Sequence, residues 1–147
     1  MEQSKSIDLS VIIVSYNVEH FLDLCLESVY VAINNINAEI IVIDNASVDN
    51  SVEMMRKKFP STRVISNVDN LGFGKANNKA AKLAKGHYLC LLNPDTIVSQ
   101  KTFEEFIQLY EKNPTIGISG PQMIDGTGQF LLESKRGLPT IKAAVFK

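Results

Sequence analysis

Four short polar clusters, each directly after an apolar run, hold the residue types from which a site can be built: Ser15-Tyr16-Asn17, Asp44-Asn45-Ala46-Ser47, Asn70-Leu71-Gly72-Phe73-Gly74 and Asn93-Pro94-Asp95. A carboxylate in the position of Asp44 can accept hydrogen bonds from a base or a ribose, or turn the backbone. Asp95 is the only carboxylate at the end of the fourth run. A hard divalent cation that carries phosphates needs only one or two protein carboxylates, so Asp95 suits Mg2+ or Mn2+. A turn capped by the aspartate is the other use of the same residues. Ser15, Asn17, Asn45 and Ser47 are of the types that cap helices, and capping and binding can coexist. Gly72 and Gly74 let backbone approach a phosphate or ribose, as ordinary loop glycines also do. His20 and His87 have no partner at metal-ligand or triad spacing and receive no role. Lys75, Lys79, Lys82 and Lys85 read as a solvated helix face, with Lys75 nearest the helix start.

These clusters need a scaffold, and the composition supports one. The 147 residues are 45% hydrophobic and 21% charged, which suits a single globular domain with a real core. Net charge is 15 − 16 = −1 without a long run of one sign, so no basic footprint points to nucleic acid or an anionic membrane. Cys25 and Cys90 lie in apolar stretches without CxxC spacing, which suits buried thiols in a reducing compartment and excludes a zinc or disulfide framework. The polar Met1 to Asp8 and the short run Leu9 to Val14 do not form a signal h-region or a membrane span, so the chain is expected in the cytoplasm.

Apolar β-branched runs alternate with helical patterns, the signature of βα units around a mostly parallel sheet in three layers, α/β/α. Strands are expected at Leu9 to Val14, Ile40 to Ile43, Arg63 to Ser66, His87 to Leu92 and Ile116 to Ser119. A helix capped by Asn17 should bury Phe21, Leu22, Leu24, Cys25, Leu26, Val29 and Ile33, and a second should run from about Asp49 to Phe59. The third, rich in Ala and Lys, should end at Gly86, and a fourth capped by Ser99 should continue to Asn113-Pro114. Met123-Ile124, the turn-prone Asp125 to Gly128, and Phe130-Leu131-Leu132 suggest a β-hairpin. In an open parallel sheet ligands bind beyond the carboxyl ends of the strands, where the four clusters fall.

In this order and spacing the segments Ser10 to Asn17, Ile41 to Ser51, Asn70 to Asn78 and Leu91 to Asp95 resemble the nucleotide-sugar-binding half of a family 2 glycosyltransferase with the GT-A fold. The resemblance implies that Ser15, Tyr16 and Asn17 border the nucleotide and that Asp44, beside Asn45, hydrogen-bonds a pyrimidine. It implies that the loop of Asn70, Gly72, Phe73 and Asn77 closes over base and ribose, with Asn93 and Pro94 completing the site. Asp95 occupies the last position of the family's DxD motif and would coordinate Mn2+ or Mg2+ on the diphosphate of a UDP-, TDP- or GDP-sugar. Asn93 replaces the first aspartate, which should weaken metal affinity. The Asn-Pro-Asp variant resembles bacterial rhamnosyltransferase-like members that build cell-surface polysaccharide.

By the same resemblance the acceptor is a saccharide or lipid-linked saccharide, deprotonated by an acceptor-side base as the sugar transfers with inversion. That base is expected beyond Lys147, after an approach segment Leu132 to Thr140 containing Ser134, Arg136 and Pro139. The chain is accordingly expected to be the donor-binding part of a longer enzyme, inactive alone. A dinucleotide-binding oxidoreductase would suit the same alternation, but no GxGxxG follows the first strand. A catalytically silent nucleotide-sugar-binding module is the rival from another class, and a nucleotidyltransferase lacks its glycine-rich basic signature.

Overall fold

The computed structural model describes residues 6–131. The expectations at Leu132, Ser134, Arg136 and Pro139 lie outside the described residues. The chain divides into two compact units, Met1–Lys112 and Asn113–Lys147.

In the first unit the order is β1 (Leu9–Ser15), α1 (Glu19–Ala32), β2 (Ala38–Asp44), α2 (Ser51–Lys58), β3 (Arg63–Ser66), α3 (Phe73–Ala81), β4 (Tyr88–Leu92) and α4 (Thr102–Lys112). The strands form one parallel sheet in the order β3-β2-β1-β4. Every residue of β1 is buried, the pattern of a strand covered on both faces, where no polar alternation is needed. Leu9, Val11 and Ile13 point to a core shared with α1, α2 and Phe103 of α4, while Ile12 and Val14 face Ala76 and Ala80 of α3. Small alanines let α3 lie close to Ile41 and Ile43 on that thinner side. Each large aliphatic side chain so buried contributes about 1.5–3 kcal/mol. The resulting α/β/α layering is the expected fold class.

Several local expectations are corrected. Phe21 and Leu24 are 54% and 41% exposed, because α1 turns a narrower stripe, Leu22, Cys25, Leu26, Val29 and Ala32, toward the sheet. No strand forms at Ile116 to Ser119: among the described residues nothing offers this Gly-interrupted segment a ladder. The hairpin reduces to one antiparallel bridge, Ile124 to Phe130, closed by a turn in which Asp125 Oδ1 accepts the amides of Thr127 and Gln129. Ser99 offers its backbone carbonyl to the Thr102 amide at 3.0 Å at the start of α4.

Gly86 does not end α3, which stops at Ala81 with the amides of Leu83 and Ala84 turned onto the Ala80 carbonyl. Its role is close approach. A Cβ there would lie 2.4 Å from the Ser10 nitrogen and 2.6 Å from the Leu9 carbonyl carbon, both backbone atoms. The Gly86 amide donates to Ser10 Oγ at 2.8 Å, and that hydroxyl donates to Glu39 Oε1 at 2.7 Å, so a buried polar knot seats β4 beside β1. Gly86→Ala must push β4 from β1 and is expected to destabilise the fold by about 3 kcal/mol, the upper range for overpacking. Thermal denaturation checks this; an unchanged Tm would refute the close-approach role.

Candidate functional site

The parallel register brings the last residues of three strands into one row, Ser15 beside Asp44 and Asp44 beside Ser66. β4 lies on the other side of β1, so Asn93, just past its end, reaches the same edge. Where the chain leaves β1 for β2 on one side and β4 takes the other, the connections diverge and leave a crevice at the carboxyl edge.

Asp44 is 2% exposed at the end of an apolar strand. Its Oδ2 accepts the Ser47 amide at 3.2 Å, whereas Oδ1 is buried without a hydrogen-bond partner among the described residues. The neighbouring Ser15 Oγ is in the same condition. An unsatisfied buried polar atom costs about 1–3 kcal/mol, so two side by side in register mark a place where a ligand's donors would be accepted. Asn45, equally buried, accepts the Asn67 side-chain amide on Oδ1 at 2.8 Å, and Lys79 Nζ donates to Asn67 Oδ1 at 2.5 Å. This chain fixes the floor between β2 and β3.

Asn17 does not cap α1. It sits at φ 53°, a left-handed conformation that Asn tolerates better than most residues, and latches onto the β2–α2 loop. Its amide donates to Ser47 Oγ at 3.0 Å and its Oδ1 accepts the Val48 amide at 2.8 Å. The cap comes from Asp49, a residue expected only to open the second helix. Asp49 Oδ2 accepts the Glu19 amide at 3.0 Å, opening α1, and Oδ1 accepts the Ser51 amide at 3.1 Å and its hydroxyl at 2.6 Å, opening α2. Its partial burial pulls the carboxyl's pKa up, but the hydrogen bonds from Ser51 and Glu19 together outweigh it and hold the group below the ordinary range. Only the distance in sequence hid this role, since a carboxylate 30 residues from the helix it caps leaves no local signal.

The remaining predicted residues line the edge in different ways. Tyr16 is exposed beside Ser15. Asn70 Oδ1 accepts the Gly72 amide at 2.9 Å, and Gly72 takes φ 76°, so this turn into α3 requires glycine. Phe73 is exposed at the start of α3. Asn77 is buried one turn on, and its side-chain amide donates to the Phe73 carbonyl at 3.0 Å. Asn93 and Asp95 are exposed and Pro94 is half-buried between them.

No group of three or more His, Cys, Asp or Glu among the described residues could hold a metal. The donor set of Asp95 and Asn93 therefore does not fit an ion held by protein alone. It fits a hard cation whose other ligands are phosphate oxygens and water. Shallow, open grooves lie along Lys75, Asn78, Lys79, Lys82 and Leu83, and near Asp8, Lys85, His87 and Glu111. The carboxyl edge is marked by its chemistry, the buried Asp44 Oδ1 and Ser15 Oγ. Among the described residues no helix is long and apolar enough to cross a membrane.

Residues 10–142 match the family described as Glycosyl transferase family 2. The chain is 33% identical over 116 residues to the minor teichoic acid biosynthesis protein GgaB of Bacillus subtilis, covering 76% of this chain and 13% of that protein. The mannosyltransferase PcManGT of Pyrobaculum calidifontis, solved with GDP-Man and Mn2+, superposes with a TM-score of 0.68 at 20% identity over 78% of this chain and 35% of its own. S. aureus TarS 1-349 in complex with UDP-GlcNAc gives a TM-score of 0.68 at 22% identity over 79% of this chain and 37% of its own. The chain thus spans well under half the length of each of these proteins.

Asp49→Asn keeps one acceptor oxygen but puts an NH2 where the other accepts, so it is expected to weaken one of the two helix starts and lower stability by about 1 kcal/mol at neutral pH. Because the folded carboxyl is held below its unfolded value, its contribution is complete above about pH 5 and fades as pH falls through and below about 3.9. Denaturant melts of both proteins should therefore converge at acid pH; a pH-independent difference would refute the assignment.

Proposed function

The chain belongs to glycosyl transferase family 2, and from that premise we propose that it binds a nucleoside diphosphate sugar at the carboxyl edge of the sheet for transfer of the sugar to a cell-surface saccharide or lipid-linked saccharide. The observation that carries this reading is the buried Asp44 Oδ1, without a partner among the described residues, with Ser15 Oγ in register beside it. Such a carboxylate can accept the N–H of a base, and Asn45, locked by Asn67, keeps the strand end in place. Tyr16, Asn17 and the Asn70 to Phe73 turn border the base and ribose, with Asn77 beneath them. The relatives solved with GDP-Man and with UDP-GlcNAc support a nucleotide-sugar donor.

Asp95, with Asn93, would hold Mn2+ or Mg2+ on the diphosphate, and the PcManGT complex with Mn2+ supports a divalent ion. A bound ion supplies Lewis acidity to the departing diphosphate. In the transfer, the acceptor oxygen bonds to the anomeric carbon as its bond to the phosphate oxygen breaks, and the electron pair leaves with the nucleoside diphosphate. The acceptor proton passes to a base, a role that this reading assigns to none of the described residues. GgaB's role in teichoic acid biosynthesis supports an acceptor in surface polysaccharide, and the two free thiols suit the reducing cytoplasm.

The dinucleotide reading meets a physical obstacle. In that fold the pyrophosphate sits on the amino end of the first helix. Here the Glu19 amide at that end is already taken by the Asp49 carboxylate, which would repel phosphate.

Calorimetry of the chain with UDP, TDP and GDP, with and without Mn2+, should show binding of at least one nucleotide that Mn2+ tightens. Asp44→Ala should lower affinity about tenfold with or without metal, as for a lost hydrogen bond to a charged group. Asp95→Ala should remove only the Mn2+-linked gain. A folded chain that binds none of the three would refute the proposal, and full metal-linked affinity in Asp95→Ala would refute the metal role.

A further inference from the structure

Asp95 is exposed and no hydrogen bond to its carboxylate is found among the described residues, so its backbone sets the point and direction from which the side chain reaches. From Asn93 to the start of α4 that backbone has no helix or strand to hold it. Two side chains of α1, three residues apart and therefore on one face, grip it on both sides of Asp95.

On one side, the Cys25 thiol, fully buried, donates to the Asn93 carbonyl at 3.6 Å. On the other, Ser28 Oγ accepts the Val98 amide at 3.0 Å. The Ser28 hydroxyl proton is spent on the Cys25 carbonyl at 2.7 Å, which turns a lone pair toward Val98. Between these points the Thr96 amide donates to the Asn93 carbonyl at 3.3 Å, closing a turn around Asp95, and the Val98 side chain is buried in the same core as Cys25.

We propose that Cys25 and Ser28 are positioning residues for the divalent-cation site, fixing the Asn93 to Val98 segment so that Asp95 meets the ion and diphosphate in one geometry. This rests on the reading of Asp95 as the metal-binding residue. Neither side chain touches the ion or donor; both act through the backbone on either side of Asp95.

The test combines amide hydrogen exchange with calorimetry of UDP, TDP and GDP, with and without Mn2+. Ser28→Ala and Cys25→Ala should each speed exchange at Thr96 and Val98. Each should also cut the Mn2+-linked gain in nucleotide affinity about tenfold, the low end for losing a residue that orients a metal ligand, while metal-free affinity stays unchanged. Ser28→Thr, which keeps the hydroxyl, should restore both. Val29→Ala, a core truncation on the same helix, should lower Tm without touching the metal-linked gain. If Ser28→Ala does not fold, Cys25→Ala alone decides. Faster exchange with a wild-type metal-linked gain would overturn this inference while Asp95→Ala still loses that gain. An Asp95→Ala variant that keeps the gain, or a wild-type chain that shows none, would overturn the metal reading and this inference together.

Discussion

One carboxylate answers two helices. In a parallel sheet the helices that follow adjacent strands start side by side, and their free amides and dipoles converge at the carboxyl edge. Asp49 meets that convergence by accepting from Glu19 at the head of α1 and from Ser51 at the head of α2. The β1–α1 and β2–α2 loops are thereby one unit, and the Asn17 latch to Ser47 and Val48 closes it a second time. Ala46 takes φ 65° inside this unit, a conformation that costs about 1–2 kcal/mol for a residue with a Cβ and persists only where the surroundings impose it.

The same constraint decides where phosphates can go. With a carboxylate seated at the head of α1, the site that many α/β folds reserve for pyrophosphate is closed to anions. Negative charge on a ligand is left with the end of β4, where a cation at Asp95 would meet it. In the proposed reading, recognition of the base at Asp44 and neutralisation of the diphosphate at Asp95 would fall on opposite sides of β1, and the sheet order sets the span between them.

What could be read in the sequence follows from the range of the forces involved. The cores of β1, β2 and β3 were legible because continuous Val and Ile runs have little other use in a soluble chain. The strand-end clusters were legible because the fold class fixes where strand ends lie. The cap on α1 was not: Asn17 has the local chemistry of a cap, but the residue that makes the bond is Asp49, brought near only by the pairing of β1 with β2. Gly86 was read as a helix stop for the same reason, since the atoms that require glycine there belong to Leu9 and Ser10. The Cys25 and Ser28 grips reach 68 and 70 residues along the chain and have no local trace. At Ile116 to Ser119 the local pattern is present, but among the described residues no partner strand is.

The row Ser15, Asp44 and Ser66 stands one residue past the aliphatic ladder Val14, Ile43 and Ile65. The ladder carries apolar burial that drives folding, and in the proposed reading ligand discrimination would fall to the row. Drift in the row can therefore change which base or ribose pattern is preferred at little cost to the fold, so paralogues could diversify in donor while sharing an almost unaltered interior.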